Sequence, residues 1–254
     1  MNTHNHNANT IEDVNAHEHQ LGNSGTTTHQ IHKKVLIWDV PVRLIHWLMA
    51  LSFAGAYLTS ESDNLRWLHM SFGYTMFGLM AFRVVWGFIG SRHARFSAFV
   101  RSPQQAIAYL RSLFSGKAQH YPGHNPAGAI AIVAFLLLGL AQGVSGYLMQ
   151  QELVGEWMEE VHEGIAVTLL SIVIIHIVAV IVSSVLHRDN LIRAMFSGYK
   201  RASSEQAIPK SRLAIGIIIA CIVAAFWAWQ VQQTQATPTG DQQHEEKKHD
   251  DDDD

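Results

Sequence analysis

The chain has 254 residues and a formal net charge of -3, and only 15% of its residues are charged against 48% that are hydrophobic. Soluble domains carry about 25% charged residues, and here the apolar residues form long runs between polar ends. The composition therefore excludes both an ordinary soluble globule and a wholly disordered chain. The charge gives no support for nucleic-acid binding. The single cysteine, Cys221, cannot form an internal disulfide, hold an iron–sulfur cluster or attach a c-type haem.

The N-terminal segment, residues 1–34, is polar and rich in His, Asn and Thr, which predicts a disordered cytoplasmic tail without a cleavable signal peptide. Apolar segments follow, each close to the about 20 residues that a helix needs to cross a bilayer. Five spans are predicted, at 40–58, 67–89, 127–149, 164–186 and 213–229. The alternative, five buried helices of a soluble protein, is disfavoured because uncharged runs of this length are rare outside membranes.

The loops between the spans alternate in charge. Loops 90–126 and 187–212 carry several Lys and Arg, whereas loop 150–161 carries four Glu and no base. Because Lys and Arg flanking a span stay in the cytoplasm, the N terminus is predicted to lie in the cytoplasm and the C terminus on the outer side of the membrane. Segment 102–116, with Ile107, Leu110 and Phe114 at helical spacing, predicts an amphipathic helix on the cytoplasmic surface or a plain connecting helix.

Four histidines lie in or at the end of a predicted span: His46, His69, His162 and His176. An ionisable group at membrane depth is costly and usually functional, although a single histidine is as often satisfied by a neighbouring helix. His162 and His176 are 14 residues apart, nearly four helical turns, so they share a face about 21 Å apart. The directions of the spans predict two pairs, His46 with His176 on the cytoplasmic side and His69 with His162 on the outer side.

Two imidazoles at each of two levels are typical of bis-histidine haem, which also suits the space between apolar helices. Zinc or copper would need three or four ligands clustered at one point, and a proton relay normally includes buried carboxylates. Small residues on the second and third spans favour either a flat macrocycle close to the backbone or close helix packing. They are Gly73, Gly78, Gly139, Gly143 and Gly146.

Arginines stand at the ends of the first two spans. Arg43 and Arg83 are predicted at the cytoplasmic side and Arg66 at the outer side. Each could pair with haem propionates at its own level, or reach the lipid headgroups with its charged end.

Four stretches of the sequence resemble the bacterial cytochrome b561 family, which includes the b-type cytochrome subunits of nickel–iron hydrogenases. They are VPVRLIHWLMALSFAGAYLT, WLHMSFGYTMFGLMAFRVVWGFIG, YPGHNPAGAIAIVAFLLLGLAQGVSGYL and VHEGIAVTLLSIVIIHIVAVIVSSVLHRDNLIRAMFSG. The resemblance implies an all-α integral membrane protein whose four-helix domain, residues 35–200, binds two haem b non-covalently. The family's haem ligands match His46, His69, His162 and His176. A linker with the fifth transmembrane helix, 201–230, and an acidic periplasmic tail, 231–254, lie outside the resemblance.

The resemblance further implies a place in the bacterial inner membrane, with the C terminus in the periplasm. It also implies electron transfer in a respiratory chain, between the quinone pool and a redox protein partner. That partner would be a periplasmic c-type cytochrome or a hydrogenase-like protein. One alternative is a stand-alone superoxide:quinone oxidoreductase, so enzymatic activity of the chain alone stays open. Another is a metal transporter or sensor that uses the His-rich N terminus and the tail HEEKKHDDDDD, although such charge runs are usually solvated tails.

Overall fold

The computed structural model describes residues 33–100, 102–115, 121, 123–186 and 188–236. The predicted disordered N terminus and acidic tail lie outside these residues, except for 33–34 and 231–236. The described residues form a β-strand and six α-helices up to the end of the fourth span: β1 Lys33–Leu36, α1 Val40–Leu58, α2 Arg66–Ile89, α3 Phe96–Phe99, α4 Pro103–Phe114, α5 Pro126–Gln150 and α6 Trp157–Leu186. Two further α-helices and a second strand follow: α7 Leu191–Ser197, β2 Tyr199–Ala202 and α8 Leu213–Ala236. Short 3-10 helices lie at Asp63–Leu65 and Ser204–Gln206.

Five helices, α1, α2, α5, α6 and α8, are long and apolar enough to cross a membrane, which confirms the predicted fold class. Large apolar side chains on α6, such as Ile175 and Val185, are more than half exposed, as expected for a surface that faces lipid. Helix α6 has 30 residues and begins at Trp157, well before the predicted span. Its first turn carries Glu159 and Glu160, which interact favourably with the positive end of the helix dipole.

The membrane helices pack in a simple order. Helix α1 packs on α2, α2 on α5 and α5 on α6, while α8 packs on α1 and α2. Two of the helices begin at a capping side chain followed by a proline: Asp39 accepts a hydrogen bond from the Val42 N–H at the start of α1, and Asn125 accepts one from Gly128 at the start of α5. Such caps satisfy backbone donors that the first helical turn leaves free, and they fix where each span begins.

A small antiparallel sheet, absent from the all-α prediction, joins β1 to β2. Lys33 lies opposite Ala202 and Leu36 opposite Tyr199. Gly198, which ends α7 with φ 86°, accepts hydrogen bonds from the Ile37 and Trp38 N–H groups through its carbonyl. A Cβ at this position would lie 2.7 Å from the Trp38 carbonyl oxygen, so both the conformation and the close approach require glycine. The sheet therefore ties the residues before the first span to those after the fourth.

Helix α4 lies in the predicted amphipathic segment and packs against α5. Its buried side chains include Ala106 and Tyr109, whereas Ile107 is 51% exposed. Ile107, one residue of the predicted apolar face, is therefore not covered by the rest of the described protein. Tyr109 is fixed by Asn125, whose side-chain amide donates to the phenol oxygen at 3.2 Å.

The fifth membrane helix, α8, extends past the predicted end at Trp229 to Ala236. Two of its side chains donate hydrogen bonds to α2: Trp227 Nε1 to Thr75 Oγ1 at 3.1 Å and Gln230 Nε2 to Ser71 Oγ at 2.9 Å. Polar contacts of this kind hold helices together where the apolar surroundings provide no hydrophobic driving force between them.

Candidate functional site

The structure brings together His46 of α1 and His176 of α6, here called the inner pair. Their ring centroids are 6.4 Å apart and their planes are tilted by 51°. Trp47 lies edge-on to His46 at 5.2 Å and Phe135 lies edge-on to His176 at 5.9 Å. His46 Nδ1 is buried without a hydrogen-bond partner. Aromatic rings therefore flank this pair.

His69 of α2 and His162 of α6 form a second pair, here called the outer pair, with centroids 6.3 Å apart. His69 Nδ1 donates to the Ala56 carbonyl oxygen at 2.8 Å. Because a carbonyl oxygen only accepts, the proton of His69 is on Nδ1 and its Nε2 carries a free lone pair.

A polar network on α5 orients His162 in the same way. Its Nδ1 donates to Ser145 Oγ at 2.8 Å, and the Ser145 hydroxyl donates to the Gln142 carbonyl at 2.9 Å. The Gln142 amide nitrogen lies 2.9 Å from His162 Nε2, which accepts from it. With Nδ1 as the donor, His162 carries its lone pair on Nε2, as His69 does. In His162 the Gln142 amide occupies that lone pair, so a metal binds through this nitrogen only when the Gln142 side chain turns away.

The spacing of both pairs fits an iron between the rings. An imidazole nitrogen binds a metal at about 2.0–2.1 Å and lies about 1.1 Å from its ring centroid, so two imidazoles on one iron have centroids about 6.3 Å apart. The measured separations are 6.4 Å and 6.3 Å. The four residues present therefore fit two bis-histidine haem sites.

The glycines divide between the two interpretations that the sequence left open. A Cβ on Gly139 or Gly143 would lie about 2 Å from Met80 or Phe77, so these positions serve close packing between α5 and α2. A Cβ on Gly73 would meet nothing within 4 Å, although the residue is only half-exposed and lies one turn after His69. Gly78 also has open space, but it is exposed on the outside of the bundle. A Cβ on Gly146 would lie 3.1 Å from His162 Cε1, so that glycine makes room for the His162 ring, whereas Gly73 leaves open space one turn after His69.

Helices α2 and α6 present matching rows of buried and half-buried side chains at seven-residue spacing. The row on α6 is His162, Leu169, His176 and Ser183, and the row on α2 is His69, Met76 and Arg83. Both helices begin at the outer pair, so they run in the same direction. Arg83 therefore lies at the level of the inner pair.

The three arginines at the span ends differ in their surroundings. Arg43 donates through Nη1 to the Phe196 carbonyl, and Arg66 donates to the Gln150 side chain at 3.4 Å at the exposed outer end. Arg83 is only 6% exposed and its Nη1 is buried without a hydrogen-bond partner. Arg83 is therefore enclosed by the protein and does not extend to the lipid headgroups.

Beyond the inner pair, polar groups of the loops lie close together. Burial, with the positive charges of Arg83 and Lys200, lowers the pKa of His124 to about 3. Burial also lowers the pKa of His93, whose Nε2 donates to the Gln206 carbonyl at 2.7 Å. Both rings are therefore neutral at neutral pH. Burial lowers the pKa of Lys200 as well, and Asp189, 3.9 Å away, opposes that shift.

Sequence reasoning missed Gln142 and Ser145. The signal was present as two polar side chains one turn apart in a span without charges, which indicates a face turned away from lipid. In the ranges that the structure describes, no group of three or more His, Cys, Asp or Glu could hold a metal ion.

Four membrane helices, α1, α2, α5 and α6, carry the two histidine pairs and the polar groups beside them, an arrangement typical of membrane b-type cytochromes. The sequence profile of the prokaryotic cytochrome b561 family matches residues 37–198, so the chain belongs to that family. It is accordingly a multi-span membrane b-type cytochrome, for which the family supports haem b and electron transfer.

The chain is similar to proteins named probable Ni/Fe-hydrogenase B-type cytochrome subunit. It is 26% identical to the one from Azotobacter vinelandii over 214 residues, which are 65% of this chain and 88% of the relative. It is 27% identical to that of Cupriavidus necator over 214 residues, 66% of this chain and 87% of the relative. With that of Azotobacter chroococcum mcd 1 it shares 31% identity over 150 residues, 48% of this chain and 62% of the relative. No solved structure gives a significant match.

Proposed function

We propose that the protein binds two haem b groups and transfers electrons between the quinone pool and a redox protein outside the membrane. His46 and His176 would hold the inner haem, and His69 and His162 the outer one. The observation that carries the proposal is the separation of the rings, 6.4 Å and 6.3 Å, which fits one iron in each pair. When bound, haem supplies the one-electron redox chemistry.

The groups around the two pairs orient the histidine rings and surround them. The Ala56 carbonyl and Ser145 hold the outer rings in the tautomer that ligation needs. Such hydrogen bonds to the far nitrogen also raise the basicity of the ligating one. At the inner pair, Trp47 and Phe135 lie against the rings and exclude water. Haem binding is assigned to residues 35–200 and a supporting role to the fifth helix.

The partner and the orientation are part of the same proposal. The names of the relatives favour a partner of the Ni/Fe-hydrogenase type over a c-type cytochrome. The alternation of basic and acidic loops favours the bacterial inner membrane with the N terminus in the cytoplasm. The outer pair then lies nearer the exposed acidic loop 150–161, on the side where a periplasmic protein docks.

The test is to count haems. Purified wild-type protein should contain two haem b per chain by the pyridine haemochrome spectrum and two iron atoms by metal analysis. His176→Ala should lose the inner haem and His69→Ala the outer one, because each variant lacks one of the two histidines that would hold that haem. His93→Ala is the matched control, since this buried histidine lies in neither pair.

Full haem content in either ligand variant would overturn the assignment, and absence of iron from the wild type would overturn the function. The quinone part is tested separately, by the rate at which a soluble quinone oxidises the reduced wild-type protein. No oxidation at any quinone concentration would remove the quinone from the proposal and leave haem binding intact.

A further inference from the structure

Arg83 is a buried charge without a paired acid. The side chain is 6% exposed, Nη1 has no hydrogen-bond partner, and the guanidinium carbon lies 5.7 Å and 5.9 Å from the ring centroids of Phe96 and Phe99. A charge in such surroundings is costly unless an opposite charge meets it. An arginine near the end of a membrane helix normally extends to the headgroups, and this one does not.

The position of Arg83 is set by the geometry of α2. It comes 14 residues after His69 with Met76 midway, so all three project from nearly the same face of α2. That face points into the bundle, because His69 meets His162 across it. The guanidinium therefore lies inside the bundle at the level of His176, where α2 contributes no ligand of its own.

The neighbouring acid does not satisfy it. Asp39 is fully buried, but its two carboxylate oxygens accept from the Val42 N–H at 3.0 Å and from Trp86 Nε1 at 3.2 Å. Within the described part of the chain, the ion pair found within 4 Å joins Lys200 and Asp189, not Arg83. Arg83 Nη1 thus has no hydrogen-bond partner, and among the described residues no carboxylate oxygen lies within 4 Å of the guanidinium.

We infer that Arg83 binds the propionate carboxylates of the inner haem. The inference rests on the function proposed above. A guanidinium is planar, stays charged and presents paired donors that match a carboxylate. A lipid phosphate would offer the same chemistry from outside the bundle, but Arg83 is on the inward face and among aromatic rings. The carboxylate expected there therefore belongs to a group held between the histidines.

The experiment removes each half of the contact in turn. Apoprotein of the wild type and of Arg83→Gln is loaded with protohaem IX or with its dimethyl ester, which lacks both carboxylate charges. The rate of haem transfer to excess apomyoglobin is then measured, and His69→Ala versions identify the inner haem. With protohaem, Arg83→Gln should release the inner haem about ten to a hundred times faster, the range for losing one hydrogen bond to a charged group.

With the ester, the same substitution should leave the release rate of the inner haem unchanged, because the carboxylates are already neutralised. Arg83→Lys keeps the positive charge but loses the paired N–H donors of the guanidinium. Its inner haem should therefore be released at a rate between those of the wild type and Arg83→Gln. Arg92→Gln is the control, since this arginine is exposed and donates to the Glu205 carbonyl. The outer haem should leave each variant at the wild-type rate.

The possible failures are distinct. A wild type with fewer than two haems would overturn the proposed function. Two haems with equal release rates for wild type and Arg83→Gln would overturn the inference alone. An equal effect of the substitution on protohaem and on the ester would also overturn it, and would favour a lipid phosphate. If Arg83→Gln does not fold, the two haems are compared in the wild type. The dimethyl ester should then leave the inner site faster than protohaem does. Equal release rates would refute the contact between Arg83 and the propionates.

Discussion

Gly73 gives a sharp test of the outer site, because the space beside it is open without haem. No atom lies within 4 Å of a Cβ built at this position, and replacing glycine in a helix stabilises it by up to about 1 kcal/mol. Gly73→Leu should therefore leave the apoprotein as stable as the wild type or slightly more stable. The leucine fills the room next to His69, so the outer haem should be lost and the haem content should fall from two per chain to one.

The assay combines the haemochrome spectrum per chain with thermal unfolding of the apoprotein in detergent. Gly143→Ala is the contrasting variant: its new Cβ would lie 2.3 Å from Phe77 Cδ2 and 2.9 Å from Phe77 Cβ. Overpacking of this kind costs about 1–3 kcal/mol, so the apoprotein should unfold earlier. Two haems retained by Gly73→Leu, or an apoprotein clearly less stable than the wild type, would refute the reasoning.

Three further predictions address stability and orientation. The pKa of His124 is about 3 in the folded state and near 6.5 when unfolded. The free energy of unfolding should therefore be highest above pH 6.5 and should decrease as the pH falls toward 3, because protonation of His124 favours the unfolded state. The free energy of unfolding should fall by at most about 2 kcal/mol between pH 7 and pH 5. His124→Phe should make it less dependent on pH in this range. The same pH dependence in the variant and the wild type would contradict the prediction. Gln230→Leu should lower the unfolding temperature through a loss of about 0.6–1.7 kcal/mol, whereas Thr234→Ala, whose hydroxyl bonds only within its own helix, should match the wild type. With the native cysteine replaced, a membrane-impermeant maleimide should label Glu156→Cys in intact spheroplasts and Lys210→Cys only after lysis; the reverse pattern would invert the topology.

Hydropathy predicted the membrane helices because each span needs a long uncharged run, but it could not give their full lengths. Helix α6 begins at Trp157, seven residues before the predicted span. Hydropathy identifies the part of a helix that is apolar enough to contact lipid, and it does not show whether the helix continues beyond that part. The β1–β2 sheet could not be found either. Each strand has four residues, and Leu36 pairs with Tyr199, far along the chain. Nothing local in either strand signals such a partner.

The positions of the four histidines followed from helix direction and spacing, and the structure places them in the two expected pairs. Their role as ligands stays a prediction. The supporting groups were harder to foresee. Arg83 turns inward, unlike Arg66, because of which side of α2 its neighbours cover, whereas the sequence alone favoured contact with the lipid headgroups for each of the arginines.

Helix α6 contributes one histidine to each pair, whereas α1 and α2 contribute one histidine each to a single pair. While the ribosome is still making the first three spans, His46 and His69 already sit in the lipid, but neither faces a second imidazole. If the pairs hold haem as proposed, haem can be bound only after the fourth span has been inserted. A nascent chain arrested after α5 should then bind no haem, and both proposed sites are completed at the same stage of synthesis.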